Sequence, residues 1–191
     1  MTPRSSNSIR SRLIDAHSQS LVVKFERPFE PGTFEGYVLD VGPQFFLLAV
    51  VREDMRFNGF TCLRIADVRR LQVPAKYAAF AEAALRKRGE YLAEKPNIDL
   101  SNSCNLLRSA DVLFPLITIH RERVDSDVCH IGRVSGINNN TVSLLEIGPD
   151  AAWDKELCSY SLREITRVDF GGGYEEALHL VGGHPKEPEG S

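Results

Sequence analysis

Apolar residues alternate with polar ones over some short stretches of this chain and recur every three to four residues over others, and the changes of period divide it into elements. Leu21, Val23 and Phe25 alternate with Val22, Lys24 and Glu26, the pattern of a strand with one buried face. Arg27-Pro28 and Glu30-Pro31-Gly32 break it, because proline cannot donate to a ladder. Four further strands are predicted over residues 34–41, 45–51, 60–65 and 68–73, separated by Gly42-Pro43, by residues 53–59 and by Ala66-Asp67. Before them, Ile9, Leu13 and Ala16 or His17 predict a short helix over residues 8–18. After them, Tyr77, Phe80, Ala81, Ala84 and Leu85 form the apolar face of a helix over residues 75–88. That helix starts at a favoured proline and ends at Gly89, with Arg86, Lys87 and Arg88 in its last turn, where positive charge suits the helix dipole.

The order then repeats. Asp99 or Ser101 is expected to cap a helix reaching Val112, and strands follow over residues 116–120, 128–137, 141–147, 156–161 and 165–170. Gly171-Gly172-Gly173 precedes a helix over residues 174–181. Residues 21–48 align without a gap on residues 117–144, 96 positions on, with five identities. Glu26-Arg27 falls on Glu122-Arg123, Gly36 on Gly132, Val38 on Val134 and Leu48 on Leu144. A unit used twice fixes the architecture, since apolar positions match at strand parity and a one-residue slip would turn a buried face outward. The expected units are residues 1–94 and residues 95–183, with residues 90–98 between the barrels and a disordered tail at 184–191.

Composition is that of a globular protein, with 42% hydrophobic and 26% charged residues. The halves differ in charge: 15 Lys and Arg against 11 Asp and Glu in residues 1–95, and 8 against 15 in residues 96–191. That asymmetry can steer a partner or let the halves attract one another. Neither a run of apolar residues near membrane-spanning length nor a secretory apolar core near the start is present, so the expected location is cytoplasmic. Cys62, Cys104, Cys129 and Cys158 are too widely spaced to announce a zinc site or a redox dithiol.

Each copy resembles the Sm-like barrel, the small fold of spliceosomal core proteins and the bacterial RNA chaperone. The likeness rests on a leading helix, on Gly36-Tyr37-Val38 or Gly132-Arg133-Val134 followed by Val41 or Ile137, and on a third strand ending in Leu48 or Leu144. The closing run from Leu162 to Val168 also matches the turn into the family's last strand. The resemblance implies a mainly β fold with flanking helices: tandem five-stranded antiparallel barrels forming an intrachain pseudo-dimer. It also implies RNA binding and subunit pairing through strand edges. The family's second motif places a basic-glycine-acidic or basic-glycine-asparagine triplet where this chain has Ile65-Ala66-Asp67 and Leu162-Arg163-Glu164, which weakens the implied RNA pocket.

The remaining motifs favour binding over catalysis. Cys129-His130 beside His120 has the residue types of a reactive or metal-binding cluster, but neighbours on a strand point to opposite faces. The triple glycine lacks the lysine and hydroxyl of a phosphate loop and is followed by Glu175-Glu176. Arg27 and Arg123 follow matching strands and can pair with a carboxylate or with an acidic partner. Arg64, Arg69 and Arg70, together with Arg86, Lys87 and Arg88, make the first half's basic concentration, a surface for single-stranded nucleic acid if shared with aromatic rings, and otherwise a solvated face. The sequence therefore predicts a non-enzymatic binding or scaffold module for a protein partner, using barrel edges or loops, with no cofactor, metal or membrane and with strand edges open to homo-oligomers. An RNA-binding Sm-like protein is the alternative, and a cysteine- or metal-dependent enzyme the second.

Overall fold

The computed structural model describes residues 4–185, so most of the tail expected to be disordered, residues 186–191, lies outside the described residues. The chain is mainly β. Helix α1 (Arg4–Ser18) precedes β1 (Val22–Glu26), β2 (Phe34–Val41), β3 (Phe45–Val51), β4 (Phe57–Arg64), a 3₁₀ turn (Ile65–Asp67) and β5 (Arg69–Gln72). Helices α2 (Ala78–Arg88) and α3 (Ser103–Leu113) lead to β6 (Ile117–His120), β7 (Cys129–Ile137), β8 (Thr141–Ile147), β9 (Trp153–Ser161), β10 (Arg167–Phe170) and α4 (Gly173–Gly182). Residues 90–99 carry no regular element.

All ten strands join one antiparallel sheet in the order β5-β1-β2-β3-β4-β10-β6-β7-β8-β9. The sequence led us to expect strands curled into two barrels; the sheet is instead continuous and not closed, with β5 and β9 as its edges. Its halves meet where β4 pairs with β10, Phe60 opposite Phe170 and Cys62 opposite Val168. Those four side chains pack into one core, so apolar burial across the seam favours joining over two separate closures.

The repeat is visible in backbone detail. Both halves run fifth-first-second-third-fourth in strand order. The register shifts between Val38 and Asp40 in one half and between Val134 and Gly136 in the other. A Cβ on Gly36 would lie 2.1 Å from the carbonyl oxygen of Ala49, and one on Gly132 would lie 2.1 Å from that of Leu145. Both glycines thus admit the same close crossing of the neighbouring strand.

The gap-free alignment of the first strands is corrected by the register. Val23 stands opposite Gly36, whereas Ile117 stands opposite Gly132, so the stretch between these equivalent positions is two residues longer in the second half. Parity survives, because two residues are one full period of a strand. Arg27 therefore corresponds to Arg121, not Arg123.

Two cores lie on either side of β3. Phe46 and Leu48 pack with Leu13 of α1, Val23, Phe25 and Leu63; Phe45, Leu47 and Ala49 pack across the seam with Leu106, Leu107 and Ala110 of α3 and with Ile117 and Val168. A strand buried on both faces needs no polar side, which accounts for its unbroken apolar sequence. Helix α3 is capped by Asn102, whose side chain accepts from the Asn105 amide at 2.9 Å, rather than by Asp99 or Ser101. Those two residues form the preceding turn, with the Ser101 amide donating to Asp99 at 2.9 Å. The triple glycine has a packing role: a Cβ on Gly59 would fall 2.5 Å from Gly171 backbone atoms, and one on Gly171 would fall 2.7 Å from the Phe114 ring.

Candidate functional site

Arg27 and Glu122 belong to the two dipeptides that the gap-free alignment matches; in the structure they bind each other. Arg27 is 4% exposed and Glu122 6%. The guanidinium makes a two-pronged contact, Nη1 donating to Oε1 at 2.8 Å and Nη2 to Oε2, the geometry that favours arginine for carboxylates. Thr166 donates to Glu122 at 2.6 Å, and the rings of Phe29 and Phe34 lie 5.1 and 5.6 Å from the guanidinium carbon. Burial alone would raise the Glu122 pKa, but bonding to Arg27 and Thr166 holds it below the usual glutamate value. Arg123 reaches back to buried Asp67 of the first half. Arg64 donates to the carbonyl oxygens of Ile165 at 2.6 Å and Arg163 at 2.8 Å. Three of the candidate arginines thus tie the halves together.

The other basic residues do not gather with them. Arg69 and Arg70 are exposed on β5, where Arg70 meets Glu26 at 3.1 Å, and Arg86, Lys87 and Arg88 are exposed in the last turn of α2. Arg64 lines an open groove of about 660 Å³ shared with Arg108, Arg163, Asn102, Asn105 and Asn138 and lined by no carboxylate. Sequence reasoning missed Arg108, which nothing in its local pattern marks, and met Arg163 only as part of Leu162-Arg163-Glu164, a departure from the family's RNA motif.

The second half carries a polar cluster the first lacks. With the corrected register, His130 stands where Phe34 does, Glu146 where Val50 does, and Tyr160 where Leu63 does. Tyr160 donates to Glu146, and its oxygen lies 2.9 Å from Nδ1 of His130. Arg121 covers the Tyr160 ring at 4.7 Å and pairs with Glu164 at 3.0 Å. Burial and the Glu146 charge push the Tyr160 pKa up, so its hydroxyl stays a donor. The signal was available in sequence as polar residues replacing apolar ones, since the gap-free alignment already sets His130 on Phe34.

Cys129 and His130 diverge as strand parity requires, and Cys129 instead stands opposite His120. His120 bonds Asp169 through Nε2 at 2.9 Å. Burial would raise the Asp169 pKa, yet the Arg167 guanidinium and His120 hold that carboxyl well below its ordinary value. Burial, then Asp169, pushes the Cys129 thiol up, and burial likewise raises Cys62 and Cys158. Thiols so placed are poor nucleophiles at neutral pH. Among the described residues no group of three or more His, Cys, Asp or Glu is arranged to hold a metal ion.

The two sheet edges differ. β5 has four residues, two of them exposed arginines, with Arg70 at φ 44°. β9 has nine residues, Asp154 to Leu157 all exposed, and no strand on its outer side among the described residues. No described helix is long and apolar enough to cross a membrane. No family model, curated protein or solved structure matches the chain.

Proposed function

We propose that the protein is a non-enzymatic binding module, built on two Sm-like units joined edge to edge as an intrachain pseudo-dimer, that holds an extended basic segment of a protein partner along β9. The contrast between the edges carries this reading. Short edges, charged residues and irregular backbone discourage strand addition, and β5 has all three. β9 is nine residues long with no strand on its outer side among the described residues, and it offers exposed Leu157 as an apolar anchor and Asp154 and Glu156, on either side of Lys155, for a basic partner. Strand addition supplies affinity from the main chain and specificity from alternate side chains. The chain already uses this mode internally at β4 and β10.

The test is a peptide-display selection on the full chain, followed by binding of selected peptides to Leu157→Lys, Ser159→Lys and, at the other edge, Arg70→Glu. The β9 substitutions are expected to weaken binding about tenfold or more, as removal of an interface anchor does, with melting unchanged and Arg70→Glu neutral. Peptides indifferent to both β9 substitutions would defeat the proposal.

A second reading, single-stranded RNA, is favoured by the carboxylate-free groove of Arg64, Arg108 and Arg163. Filter binding to oligouridine is then expected to weaken steeply as salt rises, and Arg163→Ala with Arg108→Ala to flatten that slope by about one unit for each phosphate no longer neutralised. Binding insensitive to salt and to both substitutions would exclude it.

A further inference from the structure

The seam between the halves encloses a cavity of about 430 Å³, distinct from both the β9 edge and the arginine groove. Its walls are apolar: Phe57 and Phe60 of β4 face Phe114 and Leu116 from the approach to β6, and Glu175 and Glu176 of α4 lie at its rim. Ala93, exposed and outside any regular element, also lines it. The volume suits a small organic molecule, and such cavities are commonest where two units meet.

The charge at the rim is one-sided. No lysine or arginine lines the cavity. Among the described residues neither Glu175 nor Glu176 has a cationic partner; Glu175 accepts from Thr118 at 2.6 Å. Arg167 lines a smaller adjoining cavity, but Asp169 holds its guanidinium at 2.8 Å. The start of α4 offsets part of the two negative charges, while the apolar walls strengthen what is left by lowering the local dielectric.

We infer that this cavity binds a small organic cation, an ammonium group carried on an aryl or alkyl body, with the body against the phenylalanines and the charge at Glu175 and Glu176. The probe set is 2-phenylethylammonium, the neutral 2-phenylethanol and the anionic 3-phenylpropionate, titrated into the full chain and followed by amide chemical shifts. The ammonium compound is expected to saturate in the millimolar range, moving the amides of Gly59, Leu116 and Gly171. Its affinity is expected to exceed that of the alcohol about fivefold, near the upper end for a half-open ion pair. Glu176→Gln is expected to remove that preference without changing alcohol binding, and Ala93→Leu, at an exposed position that tolerates bulk, to weaken both. Equal binding of the three probes, shifts confined to other surfaces, or a cation preference that survives Glu176→Gln would overturn the assignment.

Discussion

Arg27 and Glu122 are opposite charges held almost out of water, a pairing in which removing one partner is far more harmful than never having had either. Glu122→Gln leaves the guanidinium buried beside a neutral amide and is expected to lower stability at pH 7 by about 3 kcal/mol. Arg27→Met combined with Glu122→Leu is expected to lower it less than Glu122→Gln does, the comparison being made by urea denaturation of all three proteins. The pH dependence has a definite sign. The Glu122 pKa is depressed from 4.5 in the folded state, so its contribution is complete above that value and is lost as pH falls below it. The gap between wild type and Glu122→Gln should therefore narrow on acidification below about pH 4.5, and a gap that widens would show the carboxylate is not the stabilising form. The pair itself was visible in sequence only as two similar dipeptides. Their mutual contact was hidden, because similarity between repeats suggests equivalent places and not complementary ones.

Strands and helices were the part most open to sequence reading, since each depends on local period. β2, β3 and β8 occupy the stretches their alternation or apolar run predicts. β4 and β9 begin earlier than expected, at Phe57 and Trp153. Asn58-Gly59 reads as a turn by residue type, yet tertiary pairing of Phe57 with Val51 across a register shift keeps it in the ladder. Contact with the Ala49 and Leu145 carbonyls assigns the glycines inside the second strand of each half to close approach of the neighbouring strand. Gly132→Ala is expected to cost about 2 kcal/mol, in the range for overpacking a site without room. Gly136→Ala, four residues along the same strand, meets nothing within 4 Å and is expected to be neutral or slightly stabilising by restricting the unfolded chain. Thermal melts of the two variants decide the matter, and equal losses would mean that a general cost of side chains on β7 outweighs contact with Leu145.

At the scale of the whole molecule, local pattern says how many strands there are and which residues face inward, but not which edge meets which. The continuous sheet depends on Phe60 and Cys62 finding Phe170 and Val168, more than 100 residues away along the chain. Such long-range pairing leaves no periodic trace. The charge difference between halves, by contrast, was readable, and part of it is met at close range by Arg27 with Glu122. What stayed invisible is what lies between units: the arginine groove and the seam cavity draw residues from both halves.

β3 belongs to two cores at once, and this sets the unit of inheritance as well as of packing. Had the copies remained independent beads, either could drift, be exchanged or be lost with little effect on the other. With Phe46 and Leu48 answering to one core and Phe45, Leu47 and Ala49 to the other, a change in the second half alters the surroundings of a strand encoded in the first. The duplicated chain is thereby committed to evolving as one body.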